Sequence, residues 1–368
     1  MGLGLKTLLK NLLAKEARER QMIAEMAREE FLVMQFNNTS KLQDLTLDEK
    51  AEVRSVWGGH VDSFDEYRLF KTYCGFDPKY LSHYLYLPVI ARKLNDYRIT
   101  KLFEDKGLQG FIVNSNIKSP YVFGRKIFGE YYNGSMNQIL VDDLFDSCLG
   151  HTIIVKDSRD SSGGKGIKKM AVSSSTKEAF LSELKGRKQD FVIQECIQQN
   201  NEMASFNPSS INTFRITTLY LNGKFSVLNI NLRIGKNGST VDNWGAGGIM
   251  AGVNPDGSLK PIGYDIHMQK YRSSNHVTFD GTVIKEISSI LKEVEVAHKN
   301  YFSLCKLIGW DICIDKNDNP ILIEVNSSQP GIIGEQILNG PIFGERTQEV
   351  VDYCNSKEFT YNRSLIKY

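Results

Sequence analysis

The stretch GWDICIDKNDNPILIEVN, Gly309–Asn326, constrains this chain more than any other. Two apolar runs, WDICI and ILIEV, enclose a polar segment, Asp315–Asn319, closed by Pro320, the pattern of a strand, a turn and a strand. Each run carries an acid where a buried strand is ordinarily apolar. Successive side chains alternate faces, so Glu324 and Asn326 share one face while Ile323 and Val325 point to the core, and Asp311 stands on the partner strand. A carboxylate in such surroundings needs a cation. Asp, Glu and an Asn carbonyl are oxygen donors of the kind a hard ion such as Mg²⁺ takes, commonly with nucleotide phosphates completing its shell. A hairpin with solvated acids on its outer face has the same sequence, and the motif alone leaves both readings open.

The 368 residues are enough for two or three domains with a substantial core. A net charge of +2 gives no support to nucleic-acid binding, which calls for a strongly basic domain or stripe. The six cysteines form no CxxC pair or metal-knuckle spacing, which predicts reduced thiols in a cytoplasmic protein. No apolar run is long enough to span a bilayer.

Met1–Met34 reads as an amphipathic helix with Leu5, Leu8, Leu9, Leu12 and Leu13 on one stripe and Lys6, Lys10 and Lys15 away from it. Such a helix packs on its own protein or makes a peripheral contact with an anionic membrane surface. Helices follow at Thr46–Trp57, behind a Thr cap, at Ser63–Cys74 and at Pro78–Asn95. From Leu102 the texture changes to short apolar runs at Gly110–Val113, Tyr121–Val122 and Ile139–Val141, which predict small strands.

The strand His151–Lys156 runs into DSRDSSGGKGIKK, where Gly163, Gly164 and Gly166 around Lys165 make a donor-rich loop suited to phosphate oxygens, with Lys156 just before it. The loop is neither a P-loop nor a GxGxxG fingerprint, and an exposed basic hairpin would look alike. A helix over Ser175–Lys185 returns to the strand Phe191–Ile197, whose apolar run is cut by Gln194 and Glu195. A polar linker, Gln198–Asn207, leads on. A strand edge of this kind is a natural place for an adenine, with Glu202 placed to hold ribose hydroxyls or simply to face solvent. The next two strands carry Arg215 and Arg233 among apolar neighbours, and buried guanidinium groups need anionic partners, from a ligand or from the protein. The run Asp242, Asn243, Trp244 and Gly245–Gly248 allows close backbone approach to a ligand or makes a tight loop. A helix over Val283–Leu307 then delivers the chain to Gly309.

In order, these elements are a strand Lys, a Gly-rich flap, a strand with Glu195, an Arg strand, Asp311 and Glu324-x-Asn326. This order resembles the ATP-grasp superfamily. The phrases INTFRITTL, TVDNWGAGGI, GWDICI and ILIEVN look like the sugar-transfer-associated ATP-grasp branch found with bacterial surface-polysaccharide genes, over roughly Lys101–Tyr353. The resemblance implies an α+β ATP-grasp fold, two α+β lobes clamping ATP, with a helical N-terminal region at 1–100, a linker and N-terminal lobe at 101–205 and a C-terminal lobe at 206–368. It implies that Lys156 and the flap residues Gly163, Gly164, Lys165 and Gly166 contact ATP phosphates. Gln194, Glu195, Cys196 and Ile197 would form the adenine hinge, with Glu202 on the ribose. Asp311, Glu324 and Asn326 would hold two Mg²⁺ ions, with Asp311 and Glu324 also part of the ATP site.

Arg215 and Arg233 would join Lys156 in catalysis, and Arg215, Asn243, Trp244, Gly247 and Gly248 would line the acceptor side. The chain departs from the pattern after the hinge, where QQNNE stands in place of a His. A second basic residue before the flap is expected among Lys106, Lys118 and Arg125, and the sequence does not choose. The implied activity is ATP-dependent carboxylate–amine ligation through an acyl phosphate, joining an amino acid to a hexuronic acid. Phosphorylation of a sugar or glycan, and non-catalytic nucleotide binding beside a glycosyltransferase, are the other two readings.

Overall fold

The computed structural model describes residues 42–58, 61, 63–113, 117–159, 166–236 and 238–356. The N-terminal helix expected at Met1–Met34 and the flap residues Gly163, Gly164 and Lys165 lie outside them. The described residues divide into two compact units. One holds residues up to Arg98, Ile266–Gln269 and the chain from Ser328; the other holds Ile99–Asp265 and Lys270–Ser327.

The first unit is helical. Leu47–Trp57 starts at Thr46, whose hydroxyl accepts from the Glu49 N–H while the Glu49 carboxylate accepts from the Thr46 N–H, a reciprocal cap. Asp65–Cys74 follows. The helix expected over Pro78–Asn95 begins later, at His83, because Asp77 to Tyr80 form a turn in which the Asp77 carboxylate takes the Lys79 N–H. It is then widened to a π turn over Tyr86–Ile90, around Pro88, which has no N–H to give. Residues after Ser328 return to this unit: Gln336 exchanges two 2.9 Å hydrogen bonds with the backbone of Leu81.

The second unit is built on two sheets. β1 (Val122–Ile127), β2 (Glu130–Asn133), β3 (Thr152–Asp157), β4 (Lys168–Ala171) and β5 (Phe191–Glu195) form an antiparallel sheet in the order β2-β1-β5-β3-β4. The helices Val141–Cys148 and Lys177–Gly186 pack on one face, where Phe123, Ile153, Val155, Phe191 and Ile193 meet Leu144, Phe145, Phe180 and Leu184. β6 (Thr213–Leu221), β7 (Lys224–Ile234), β8 (Ile249–Val253), β9 (Leu259–Tyr264) and β10 (Lys270–Tyr271) are followed by a small ribbon, β11 (Ser273–Ser274) with β12 (Val277–Thr278). Then come β13 (Leu307–Ile314) and β14 (Pro320–Asn326), giving a second sheet ordered β10-β9-β8-β7-β6-β13-β14. The helix Ile287–Tyr301 covers its apolar face.

Four sequence expectations are corrected here. Gly110–Val113 is not a strand but part of a helical turn, Gln109–Ile112. Ile139–Val141 leads into the helix Val141–Cys148, whose buried Leu144, Phe145 and Cys148 follow helical spacing and outweigh the short β-branched run. The linker Gln198–Asn207 contains the helix Asn201–Phe206, capped by Asn200, whose side chain accepts from the Met203 N–H. The long helix is also shorter than expected, because Leu307 already belongs to β13.

Candidate functional site

The alternation of strand residues decides what each sheet offers on the face opposite its core. In the first sheet Ile153, Val155, Phe191 and Ile193 are core, so Ile154, Lys156, Val192 and Gln194 look the other way, paired as Ile154 with Gln194 and Lys156 with Val192. In the second sheet Ile308, Trp310, Ile312 and Ile314 of β13, Phe214 and Ile216 of β6, and Ile230, Leu232 and Ile234 of β7 are core. The opposite face is polar: Asp311 and Cys313, Thr213 and Arg215, Asn231 and Arg233. Register aligns Glu324, Asp311, Arg215 and Asn231 in one row across four strands. The hairpin read from sequence is therefore real, with one difference. A bulge between Asp311 and Ile312 makes Ile323 the extra residue, so the core residues of β14 are Leu322 and Val325, and Ile323 is half-buried.

Asp311 is the centre of that row. Its Oδ1 accepts from Arg215 Nε at 2.6 Å, its Oδ2 from Arg215 Nη2 at 3.1 Å, and the Arg233 guanidinium lies 2.9 Å from Oδ2. Burial opposes ionisation of this carboxyl, but Arg215 and then Arg233 outweigh it and hold it down to about 2. Arg233 also donates twice to the Thr213 hydroxyl, and that hydroxyl donates to Asp242. Asp242, which sequence reasoning passed over as a site residue, is a half-buried anchor whose carboxyl is pushed up by desolvation and pulled back by Arg233.

On the neighbouring position Glu324 Oε1 pairs with Lys106 Nζ at 2.9 Å, and the Lys106 N–H donates to Ser158 at the end of β3. Of the three basic candidates, Lys106 is the one that meets Glu324. Arg125 turns away, donating to the carbonyls of Asn133 and Gly134, and Lys118 forms a backbone bridge to Ile321. Lys106 lies close enough to Lys156 to disfavour a second charge. Burial first and Lys106 second bring the Lys156 ammonium from its ordinary 10.5 down to about 8, with Glu324 opposing.

Among the described residues no group of three or more His, Cys, Asp or Glu could hold a metal ion. The oxygen donors left for a hard cation are Glu324, whose side chain is 26% exposed, and the Asn326 carbonyl oxygen; the Asn326 amide donates to Asp311 at 3.3 Å. That pair fits Mg²⁺ chemistry. Asp311 fits it once an anion relieves its arginines, since both of its oxygens are otherwise engaged.

The linker that follows β5 is fixed to the same hairpin. Lys316 donates its N–H to the Gln198 carbonyl at 2.8 Å, and Asn200 Nδ2 donates to Asp318. From Asp315 back to Asp311 is a span of four residues along the chain, roughly 13 Å when extended. Cys313 lies within it, fully buried, its thiol pushed up by burial. Glu195 spends its carboxylate on the Tyr121 N–H at 2.7 Å, and Cys196 gives its N–H to the Thr152 carbonyl. Gln199, in the segment that replaces a His, holds the loop before β6 through Asn207, Ser210 and Asn212. Glu202 stands exposed on the first turn of Asn201–Phe206, its carboxyl raised by burial and by nearby Glu286.

The small-residue run has a local explanation. Asn243 accepts from the Ala246 N–H, Trp244 is buried and donates to the Tyr264 carbonyl, and Gly247 has φ of 94°. A Cβ on Gly248 would come within 2.6 Å of the Asp242 carbonyl oxygen. Gly248→Ala is therefore expected to shift Asp242 and to lower thermal stability by about 1–3 kcal/mol, the usual cost of overpacking. An unchanged melting temperature would show that the loop yields freely.

Residues 89–352 match the sugar-transfer associated ATP-grasp family. No curated protein matches the sequence. Among solved structures, the L-amino acid ligase of Bacillus licheniformis is 15% identical with a TM-score of 0.37, covering 67% of this chain and 48% of that one. The VanG D-Ala:D-Ser ligase of Enterococcus faecalis is 11% identical with a TM-score of 0.40, covering 69% and 61%. The ADP complex of the N5-carboxyaminoimidazole ribonucleotide synthetase purK is 8% identical with a TM-score of 0.42, covering 72% and 54%. This chain thus spans between 48% and 61% of the length of these three structures. With most of its length matched and its two sheets in place, the chain belongs to the sugar-transfer associated ATP-grasp family.

Proposed function

We propose that this chain is an ATP- and Mg²⁺-dependent carboxylate–amine ligase that works through an acyl phosphate. The observation that carries the reading is the charge balance of the site. Four cations, Lys106, Lys156, Arg215 and Arg233, converge on Glu324 and Asp311, with Asp242 behind them. A cluster of cations this dense sets up a positive field over the polar face, to which a triphosphate and a carboxylate substrate are complementary.

In this reading Lys106 and Lys156 hold the phosphates, together with the Gly163, Gly164, Lys165 and Gly166 that the resemblance implies, and the segment Gln194–Ile197 carries the adenine. Glu324, Asn326 and Asp311 would hold Mg²⁺; two ions are the number the resemblance implies. The metal supplies charge neutralisation on the transferring phosphoryl oxygens. A substrate carboxylate oxygen bonds to the γ-phosphorus as the bond to ADP breaks. The amine then attacks the acyl carbon, loses a proton and expels inorganic phosphate. Arg215 and Arg233 stabilise the negative charge that gathers in both steps. Asn243, Trp244, Gly247 and Gly248 border the acceptor, for which a hexuronic acid and an amino acid are the proposed pair.

The test is incubation with ATP, Mg²⁺ and a matrix of uronic-acid sugars and amino acids. ADP release that needs both partners, with an amide product by mass spectrometry, is expected. A phosphate ester with no amide would replace the ligase reading by a kinase, and no turnover with any pair would leave nucleotide binding alone.

The Lys156 environment adds a pH signature. Its folded-state value of about 8 lies below the ordinary 10.5, so between those values the unfolded chain holds more protons and stability rises with pH. Phosphates favour the protonated ammonium, so nucleotide affinity is expected to fall as pH rises through about 8, by at most about tenfold per unit. Titration of ADP from below to above that value should show the fall in the natural chain and a flat profile in Lys156→Met. A pH-independent affinity in the natural chain would remove Lys156 from the phosphate site.

A further inference from the structure

The β1–β2 hairpin carries a feature that the nucleotide site does not use. Ile127 pairs with Glu130, leaving a two-residue turn, Phe128–Gly129, with φ of 52° and 87°. Turns of this kind place both residues in the left-handed region, where Asn, Asp and Gly are at ease and a bulky side chain is strained. Here the first residue is Phe, and its side chain is 93% exposed. The residue thus neither suits its backbone nor gains from burial in the protein.

Beside it opens a cavity of about 560 Å³ lined by Lys126, Phe128, Arg159, Lys188 and Asp190 among others. The one carboxylate there is already committed: Asp190 Oδ1 accepts from the Phe128 N–H at 3.0 Å, and Oδ2 lies 3.4 Å from Arg159. Arg159 reaches Asp105 as well, at 3.5 Å. Lys126 donates to the Arg187 carbonyl, and neither it nor Lys188 pairs with a carboxylate among the described residues. Lys126 is paired with Phe191 and Lys156 with Val192, so Lys126 stands on the opposite face of the sheet from Lys156.

We infer that this hairpin is a docking surface for an anionic bilayer, with Phe128 entering the interface and Lys126 and Lys188 meeting lipid phosphates. The chemistry is complementary on both counts. An exposed aromatic tip finds the apolar boundary it lacks in water, and uncompensated lysines with long stems reach the headgroups around it. The surface adds a contact of its own to whatever residues 1–41 do.

The experiment compares full-length natural protein, Phe128→Asn and the pair Lys126→Gln with Lys188→Gln. Each is sedimented with vesicles of phosphatidylcholine containing about a third phosphatidylglycerol, and with vesicles of phosphatidylcholine alone. Asn tolerates the left-handed conformation, so Phe128→Asn is expected to keep or raise the melting temperature while weakening binding to the anionic vesicles about tenfold, as for the loss of one partly inserted ring. The lysine pair should weaken it by about 30-fold at low salt, and less at high salt. Phosphatidylcholine alone should bind poorly. Inorganic pyrophosphate in excess should not compete. Anionic-vesicle binding equal in all three proteins would overturn the proposal. So would stoichiometric pyrophosphate capture lost in the lysine pair without vesicle binding, which would make the cavity a soluble-phosphate site. ADP binding is expected to be the same in all three proteins, and this separates failure here from failure of the ligase reading.

Discussion

Glu324→Gln is expected to reduce turnover by about two to three orders of magnitude while the chain stays folded, an effect of the size seen when a central electrostatic group is removed. Glu324 does two things that Gln cannot. Its charge offsets Lys106 at 2.9 Å and, behind it, Lys156; and it offers an anionic oxygen to a hard cation beside the Asn326 carbonyl. Gln keeps the volume and the strand, and Glu324 is half-exposed at the bulge, so the core residues Leu322 and Val325 are untouched. Without nucleotide the variant gathers positive charge, and ADP without metal should bind it at least as tightly as it binds the natural chain. With Mg²⁺ present the natural chain should gain affinity and the variant should not. Equal Mg²⁺ dependence in both, measured by calorimetric titration of ADP, would remove Glu324 from the metal site.

The second large effect concerns the Arg215–Asp311–Arg233 triad. Arg215→Ala leaves the buried Asp311 carboxylate with Arg233 alone of its two guanidinium partners, and breaking a buried pair in this way costs up to about 3–5 kcal/mol. The double variant Arg215→Ala with Asp311→Ala should recover part of that loss, because the half-paired carboxylate goes too while Arg233 keeps Thr213 and Asp242. Turnover behaves differently. Arg215→Ala should cost about 10²–10³ in kcat, and the double variant should recover none of it. Denaturant unfolding and steady-state kinetics on the natural chain and the two variants separate the roles. Recovery of both stability and rate in the double variant would make the triad purely structural.

Much of this site is legible in the sequence because strand alternation is a local rule. Two acids and an Asn in otherwise apolar strands, and two arginines in two more, announce a polar sheet face, and the register brings Glu324, Asp311, Arg215 and Asn231 into one row. What was not legible is which charge meets which. Lys106 lies in a loop with no pattern of its own, and only its backbone bond to Ser158 and its contact with Glu324 distinguish it from Lys118 and Arg125. Asp242 is read as part of a loop until Thr213 and Arg233 turn toward it. The same limit explains the secondary-structure errors. The run at Ile139–Val141 has strand composition, and the helix after it is fixed by Leu144 and Phe145 packing on Phe180, a contact between segments far apart in sequence. The bulge at Ile323 follows from pairing with β13 and leaves no mark in ILIEVN itself.

The central claim is that the site activates a carboxylate as an acyl phosphate, and hydroxylamine tests it most directly. With ATP, Mg²⁺, the acid substrate and no amine, the account predicts a hydroxamate formed in step with ADP, absent without the acid and greatly reduced in Glu324→Gln. Acid-dependent ADP release that yields a stable phosphate ester, with no hydroxamate for any acid that supports turnover, would contradict it.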